Sequence, residues 1–243
     1  MASRILSLPI RAVRKALSPI SSRFNAMLFD WRSRHREYLS RQLLFDTIVG
    51  FVADCQIEGD YLEFGCFGGG SLVDIFHTMR GHHRLANVQF FIFDSFEGLP
   101  EPTGLDANEF RRYERGQFAC SLDQYIANIR RQGVPIERAR CIPGWYDKTL
   151  NAELKKNLRI KKASIVLIDC DLYESTVPVL DFIADYIQDG TVLIFDDWFS
   201  YKGRLDLGEA RAFNEWLAKN PRIHATEYHK AGRTMISFIM KVD

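Results

Sequence analysis

The apolar positions of this chain change repeatedly between a helical spacing and short, nearly continuous runs. Beyond residue 40, one face of a predicted helix carries the apolar residues Leu43, Leu44, Ile48, Phe51 and Val52. The segments 88–93 and 164–168 are largely apolar, which is typical of strands that are covered on both faces. Segments of the two kinds follow one another along the chain, and this alternation predicts an α/β fold.

Further strands are predicted at 61–64, 138–142, 192–195, 224–228 and 234–240, and further helices at 71–79, from 121 onward, and at 147–158, 177–187 and 209–217. The hydroxyl of Ser71 is expected to cap the helix that it opens. Because strands that alternate with helices pair in parallel, we predict a doubly wound, mostly parallel sheet. The last two strands predict a hairpin that adds an antiparallel C-terminal strand. Residues 97–120 are polar and rich in turn residues, and they predict an irregular excursion or lid.

Composition narrows the class of protein. The chain has 243 residues, of which 47% are hydrophobic and 13% aromatic, so it is too apolar to be disordered and long enough to bury a core. Its five cysteines argue against a disulfide framework, and no apolar run approaches the length of a membrane span. The formal net charge of +1 removes the best argument for a nucleic-acid partner. We therefore expect a soluble, cytoplasmic protein.

The charge is distributed unevenly along the chain. Residues 1–36 carry eight basic residues against one acid, which leaves 24 basic and 30 acidic residues in 37–243. We predict a basic N-terminal extension over 1–40 and one domain over 41–243. The extension is expected to pack on the body or on a sister subunit of a homo-oligomer, and peripheral contact with an anionic membrane surface is the alternative.

A glycine-rich turn follows the first predicted strand, where residues 63–71 read EFGCFGGGS. In doubly wound sheets, ligands bind beyond the carboxyl ends of the strands, and glycines let a ligand approach the backbone. Phe67 stands where a dinucleotide-binding turn needs its second glycine, and the chain has no Gly-Lys-Ser/Thr phosphate loop. The acidic Glu63 favours a cationic or amine-bearing ligand. A tight turn with a purely structural role is the alternative.

The second predicted strand ends at Asp94, whose carboxylate can accept hydrogen bonds from both hydroxyls of a ribose. A nucleoside ligand with little negative charge fits both Glu63 and Asp94. S-adenosylmethionine, which carries a sulfonium and an ammonium group, is the natural candidate.

Two pairs of acids follow two later strands. Asp169 and Asp171 come after 164–168, and Asp196 and Asp197 come after 192–195. If the two strands are neighbours, three or four carboxylates converge on one small volume, and a hard divalent cation such as Mg²⁺ relieves their repulsion. The alternative is that some of these acids cap helices or pair with Lys or Arg. If the acids do hold a cation, a nearby carboxylate can take a proton from a substrate hydroxyl, and the hydroxyl oxygen can attack the activated methyl group.

Several motifs together resemble a known family. The chain carries YLEFG at 61–65, DSFEGLP at 94–100, PGWY at 143–146, DCDLYEST at 169–176 and DDW at 196–198. In this order they resemble macrocin O-methyltransferase-like enzymes over about residues 45–240. The resemblance implies a class I, Rossmann-like fold and Mg²⁺-dependent methylation, by S-adenosylmethionine, of a hydroxyl on a sugar, natural product or polysaccharide.

The resemblance also implies roles for individual residues. It assigns Glu63 and Gly65 to the methionine moiety and Asp94 to the ribose, and we expect the rest of the cofactor set to be Phe67, Gly68, Ser71 and Ser95. It assigns Asp169, Asp196 and Asp197 to the metal, with Asp169 or Asp171 as the catalytic base. Two other functions remain open, a nicotinamide-dependent Rossmann oxidoreductase and a non-catalytic binding module that keeps the methyltransferase fold.

Overall fold

The computed structural model describes residues 35–109 and 113–243, which form one sheet with helices on both faces. Its strands are β1 (Asp60–Phe64), β2 (Phe90–Asp94), β3 (Ala139–Pro143), β4 (Ala163–Ile168), β5 (Val192–Phe195), β6 (Ile223–Ala231) and β7 (Met235–Val242). Its helices are α1 (35–54), α2 (Gly70–Arg80), α3 (Gly104–Glu109), α4 (Leu122–Arg131), α5 (Tyr146–Thr149), α6 (Ala152–Asn157), α7 (Tyr173–Ile183) and α8 (Gly208–Lys219).

The seven strands lie in the order β3-β2-β1-β4-β5-β7-β6. Strands β1 to β5 pair in parallel, and β7 runs antiparallel to both β5 and β6. The predicted fold class is therefore confirmed. The chain places β2 and β3 on one side of β1 and β4 and β5 on the other, so the strand order reverses between β1 and β4. Crevices that bind ligands open at such a reversal, beyond the carboxyl ends of the strands.

Two layers of apolar side chains cover the sheet. Leu62, Phe64 and Val166 face one layer, whereas Tyr61 and Ile165 face the other, because successive residues of a strand point to opposite faces. Helices α1, α2 and α4 cover the Tyr61 face, and α7 and α8 cover the Phe64 face. The strands are thus buried on both sides, as their continuous apolar sequences indicate.

Three local predictions need correction. Ser71 does not cap α2, since the cap position belongs to Gly69, at φ 85°, with no side-chain hydrogen bond. The predicted helix at 147–158 is divided into α5 and α6, because Asn151 leaves the helical conformation and its side chain accepts a hydrogen bond from the Leu154 amide at 2.9 Å. The excursion at 97–120 is not wholly irregular, as it contains the short helix α3.

The basic extension lies almost entirely outside the described residues, so its predicted contacts with the body, a sister subunit or a membrane stay predictions. Helix α1, described from residue 35, runs through the predicted domain boundary at residue 40. Within 35–109 and 113–243, no helix is both long enough and apolar enough to cross a membrane.

Candidate active site

A cavity of about 710 Å³ opens at the carboxyl edge of the sheet, beside the reversal of strand order. Residues at or just beyond the ends of four parallel strands line it, among them Gly65, Asp94, Asp169 and Asp197. Aromatic side chains from two other segments, the 97–120 excursion and the turn after β3, complete the walls: Tyr113, Phe118, Trp145 and Tyr146. The cavity therefore combines acidic groups at its base with apolar and aromatic sides.

Gly65 allows the ends of β1 and β4 to come together. Its φ is +84°, and a Cβ atom at this position would lie 1.8 Å from the carbonyl oxygen of Asp169. The amide of Asp169 in turn donates to the carbonyl of Phe64 at 2.8 Å. Any larger residue would therefore push apart the two strand ends that form the base of the cavity.

The rest of the glycine-rich turn contributes an aromatic rim. Phe67 has a φ of +40° and is 57% exposed, and its ring meets that of Phe118 edge to face with the centroids 5.9 Å apart. Phe67 lines the cavity, whereas Gly68 and Ser71 do not. Ser71 is buried, and its hydroxyl accepts a hydrogen bond from the guanidinium of Arg41.

Asp94 fixes the neighbouring loops at the end of β2. One carboxylate oxygen accepts from the amide of Cys66 at 2.7 Å, and the other accepts from the amide of Phe96 at 2.6 Å. The hydroxyl of Ser95 donates to the carbonyl of Gly98 at 3.0 Å and so closes the following turn. Asp94 and Ser95 both line the cavity. Each carboxylate oxygen of Asp94 keeps a second lone pair with which to accept from a ligand hydroxyl.

Glu63 lies behind the cavity wall and is fully buried. One of its carboxylate oxygens accepts from the hydroxyl of Tyr61 at 2.8 Å, and the other has no hydrogen-bond partner among the described residues. Burial raises the pKa of Glu63 to about 8, against the lowering effects of Tyr61 and Arg41. Its assignment to the methionine moiety stays a prediction.

Three carboxylates meet where β4 and β5 end. Oxygens of Asp169, Asp171 and Asp197 lie within 4.8 Å of one another. The prediction that these strands are neighbours is confirmed, since β4 pairs with β5 up to Ile168 and Phe195. Burial, and after it the charges of the other aspartates, raises the pKa of Asp169 and of Asp171. Asp171 also has a φ of +61°, in the left-handed region that residues other than glycine rarely adopt.

Three polar side chains that the sequence did not single out fix this cluster. Glu209, in the first turn of α8, accepts from the amide of Cys170 at 3.1 Å and from that of Asp197 at 2.9 Å. The hydroxyl of Tyr113 donates to Asp197 at 2.8 Å, and that of Ser200 donates to the same oxygen. Glu209 was predicted only as a helix start. Its position just after the Asp196–Asp197 loop is a signal that could have found it.

Asp196 pairs with a cation, and its charge is also the largest of the aspartate charges that raise the pKa of Asp169. Its carboxylate lies 3.6 Å from the guanidinium of Arg41 on α1, and it is not part of the three-carboxylate cluster. The sequence therefore predicts the metal ligands Asp169, Asp196 and Asp197, whereas the described geometry brings Asp171 together with Asp169 and Asp197. All four residues line the cavity.

The chemistry of the cluster fits a divalent cation. It offers only oxygen donors, which hard cations prefer, and it is buried enough that the carboxylates repel one another strongly. A cation would remove that repulsion.

A comparison with family models identifies the class of protein. The family model described as macrocin-O-methyltransferase (TylF) matches residues 39–216, well over half of the chain. The chain belongs to the macrocin O-methyltransferase family. The match includes the glycine-rich turn, Asp94 and all four aspartates that follow β4 and β5, so the resemblance in the motifs is confirmed as family membership.

Two characterised methyltransferases share part of the sequence. The chain is 31% identical over 167 residues to the 8-demethyl-8-(2,3-dimethoxy-α-L-rhamnosyl)-tetracenomycin-C 4'-O-methyltransferase of Streptomyces olivaceus. It is 25% identical over 151 residues to the mycinamicin III 3''-O-methyltransferase of Micromonospora griseorubida. These matches cover 63% and 58% of this chain, and only 61% and 56% of the relatives' own lengths.

Solved structures support the same fold. The O-methyltransferase NovP superposes with a TM-score of 0.69 at 22% identity, and the calicheamicin methyltransferase CalS11 with 0.68 at 24% identity. Each comparison covers 84% of this chain and 80% of the other. At such identities the likeness concerns the fold alone.

Proposed function

We propose that this chain transfers the methyl group of S-adenosylmethionine to a hydroxyl of a sugar-bearing natural product, with a divalent cation at the acid cluster. One observation carries the proposal: Asp94 and the cluster of Asp169, Asp171 and Asp197 line the same cavity. A nucleoside bound at Asp94 would therefore have its reactive end within reach of the cluster. Membership of a methyltransferase family supports the cofactor.

The cofactor would be bound by groups already held in place. Asp94 is fixed by two backbone amides and retains the lone pairs with which to accept from ribose hydroxyls. The side chain of Phe67 lies at the cavity where a dinucleotide would need room for its pyrophosphate, which favours a ligand without phosphates. Both features support S-adenosylmethionine over a nicotinamide dinucleotide.

The reaction needs a base and close approach. The acceptor oxygen attacks the methyl carbon as the C–S bond breaks, the bonding electrons pass to sulfur, and S-adenosylhomocysteine is left. The hydroxyl proton passes to Asp169 or Asp171, both of which line the cavity. Holding both reactants in one cavity supplies much of the acceleration.

A divalent cation such as Mg²⁺, when bound there, would polarise the acceptor hydroxyl and lower its pKa. Asp169, Asp171 and Asp197 are the residues that the geometry offers to hold it. Asp196 also lines the cavity and is the further carboxylate that could hold it.

The acceptor is proposed from the walls of the cavity and from the relatives. Leu99, Trp145 and Tyr146 give it an apolar side that suits the ring system of an aglycone or the face of a sugar. The Streptomyces olivaceus relative is named for a rhamnosyl-tetracenomycin and the Micromonospora relative for mycinamicin III. A hydroxyl on a deoxysugar is thus the acceptor that we propose.

Calorimetric titration with S-adenosylhomocysteine and with NAD⁺ tests the cofactor. Methyl transfer to a panel of aryl glycosides that includes an α-L-rhamnoside tests the reaction. We expect Asp169→Asn to lower turnover by about 100-fold or more, since it removes a candidate base, while the affinity for S-adenosylhomocysteine changes less than about threefold. Asp181→Asn, an exposed change on α7, is the matched control and should keep the wild-type rate.

The alternatives give different results. Binding of NAD⁺ without S-adenosylhomocysteine would indicate the oxidoreductase, and binding of neither would indicate a non-catalytic module. Wild-type turnover by Asp169→Asn in excess chelator would contradict both Asp169 as the base and the need for a metal.

A further inference from the structure

A small apolar cluster ties the excursion at 97–120 to the loops that follow β4 and β5. The ring of Tyr113 is buried, and its centroid lies 5.9 Å from that of Tyr201, in the loop after β5. Leu172 and Leu207, which directly precede α7 and α8, complete the cluster. The Tyr113 side chain is therefore held by both loops that carry the acids at the base of the cavity.

The hydroxyl of Tyr113 is directed at those acids. It donates to one carboxylate oxygen of Asp197 at 2.8 Å, and the hydroxyl of Ser200 donates to the same oxygen. It also contacts the side chain of Asp171, whose pKa is raised by burial and lowered by this contact. Two donors on one oxygen fix the orientation of the Asp197 carboxylate, which keeps further lone pairs for a cation.

The excursion that carries Tyr113 also forms a wall of the cavity. The amide of Leu99 donates to the carbonyl of Gln117 at 2.9 Å, and the amide of Gly116 donates to the carbonyl of Leu99 at 2.9 Å. These bonds join Leu99 to the segment just after Tyr113, and Leu99, Tyr113 and Phe118 all line the cavity. The contact between Tyr113 and Asp197 therefore links the acids to a wall of the cavity in which the acceptor is proposed to bind.

We propose that Tyr113 is a positioning residue that acts through Asp197: it orients this carboxylate for the divalent cation, and the bound cation in return holds the excursion in place. The inference rests on the metal site of the proposed function. It does not depend on which other aspartates complete that site, because Asp197 belongs both to the ligands expected from the sequence and to the observed cluster.

The expected size of the effect follows from the chemistry of metal ligands. Loss of a group that hydrogen-bonds a ligating side chain typically weakens metal binding by about 10- to 100-fold. Coupling between two binding events is reciprocal, so the cation must stabilise the contact of Tyr113 with Asp197 by the same factor. The proposal therefore makes one prediction for the cation and one for the excursion.

The affinity for Mn²⁺ tests the first prediction without an acceptor or a turnover assay. Free Mn²⁺ is measured by electron paramagnetic resonance during titration of the full chain at constant pH and ionic strength. Tyr113→Phe keeps the buried ring and removes only the hydroxyl, and we expect it to raise the Mn²⁺ dissociation constant about tenfold. Ser200→Ala removes the other donor to the same oxygen and should raise the constant by about three- to tenfold.

Hydrogen exchange of the wild type tests the second prediction and needs no variant. Saturating Mg²⁺, compared with NaCl of equal ionic strength, should slow exchange about tenfold in peptides that begin near Tyr113 and end before α4, and it should leave α4 peptides unchanged. In Tyr113→Phe the same peptides should exchange at nearly equal rates in the two salts. A purely structural role of the hydroxyl would instead speed their exchange equally in both.

Tyr186→Phe is the matched control for loss of a buried hydroxyl. Tyr186 is also buried, but its hydroxyl has no hydrogen-bond partner among the described residues and it does not line the cavity. The Mn²⁺ affinity of this variant should stay within about twofold of the wild type, because the two sites are independent. Equal weakening by Tyr113→Phe and Tyr186→Phe would overturn the proposal.

The remaining outcomes separate the inference from the proposed function. If the wild type binds no Mn²⁺, both the metal site and this inference fail. If the wild type binds Mn²⁺ and Tyr113→Phe binds it as tightly or more tightly, the inference alone is wrong. Exchange near Tyr113 that Mg²⁺ does not slow in the wild type also overturns it, since the excursion would then not respond to the cation.

Discussion

Gly65 shows how one residue joins the fold to the site. From the sequence, its place in a glycine-rich turn indicates close approach of a ligand. In the structure, the atom that comes closest to its position belongs to the protein itself, the carbonyl oxygen of Asp169. The glycine therefore brings together the ends of β1 and β4, and with them the acids at the base of the cavity. Gly65 would therefore affect ligand binding indirectly, by positioning the acids at the base of the cavity.

Replacing Gly65 by alanine should be severely destabilising. The new Cβ atom would lie 1.8 Å from the Asp169 carbonyl at a φ of +84°, so one of the two strands must move. We expect the free energy of unfolding, measured by urea denaturation, to fall by more than about 3 kcal/mol.

Gly70→Ala is the matched control for that change. Gly70 begins α2, and a Cβ atom there would meet nothing within 4 Å. Alanine is the better helix former, so this variant should be as stable as the wild type or up to about 1 kcal/mol more stable. Similar stability of the two alanine variants would contradict the proposed role of Gly65.

Single residues also mark the limit of inference from sequence. The proximity of Asp169 and Asp197 could be predicted from the sequence, because each follows a strand and parallel strands end at one edge of a sheet. The positions of Arg41 and Tyr113 at the site could not be predicted, since each reaches the site from an element whose placement depends on packing across the whole domain. Their contacts with Asp196 and Asp197 span 155 and 84 positions of sequence. No local pattern encodes such a contact.

At the scale of elements, the excursion between β2 and α4 is tied to two helices by one side chain. The carboxylate of Asp106, in α3, accepts from the amide of Tyr173 at 2.5 Å and from the amide of Gly208 at 3.2 Å. These are the first residues of α7 and α8, whose amides have no partner within their own helices. One acid thus caps both helices and holds the excursion beside the cavity.

Loss of that double cap should loosen three elements together. We expect Asp106→Ala to lower the free energy of unfolding by about 1–4 kcal/mol, since two caps are lost and each costs about 0.5–2 kcal/mol. Hydrogen exchange followed by mass spectrometry should show faster exchange in peptides that cover α3 and the first turns of α7 and α8.

Asp123→Ala is the control for a general loss of negative charge at a helix start. Asp123 is exposed in the first turn of α4, so its loss should cost only a few tenths of a kcal/mol and leave those peptides unchanged. If Asp106→Ala accelerated exchange in α3 alone, the cap would not couple the excursion to the helices.

Element boundaries were predicted less well than element types. The largely apolar β2 and β4 segments were identified because burial on both faces leaves little choice of residue. Helix α3 in the excursion could not be predicted in this way, since it is short and is held by the contacts of Asp106 rather than by a periodic apolar face. The division between α5 and α6 is likewise set by one cap at Asn151.

At the scale of the whole molecule, buried acids are concentrated at the carboxyl edge of the sheet. Burial is the largest cause of the raised pKa of Glu63, Asp169, Asp171 and Glu209. The strand order explains the concentration, because β1, β4 and β5 are adjacent and end at the same edge. That edge could be predicted from the alternation of strands and helices. The degree of burial could not, since it depends on how α1, α8 and the excursion cover the acids.

These acids predict that stability falls as pH rises. For Glu63, the unfolded chain loses its proton near pH 4.5, whereas the folded chain keeps it until about pH 8. Between those values the folded state binds more protons, so its stability declines by up to about 1.4 kcal/mol per pH unit for each such group. The contribution is fully present below pH 4.5 and is lost as pH rises through 8.

Glu63→Gln should remove one part of this decline, because glutamine keeps an acceptor for the hydroxyl of Tyr61 but carries no charge at any pH. We expect the variant to match the wild type near pH 5 and to be more stable near pH 8.5 in urea denaturation with chelator present.

Mg²⁺ binds only the folded cluster in the proposed function, so it should reduce the remaining decline in both proteins relative to NaCl of equal ionic strength. Exposed Glu58→Gln should follow the wild-type profile. Parallel profiles for Glu63→Gln and wild type would show that Glu63 is not the source of the decline. If stability declined equally with Mg²⁺ and with NaCl, the acid cluster would not bind Mg²⁺. Protonation alone would then relieve the repulsion among its carboxylates.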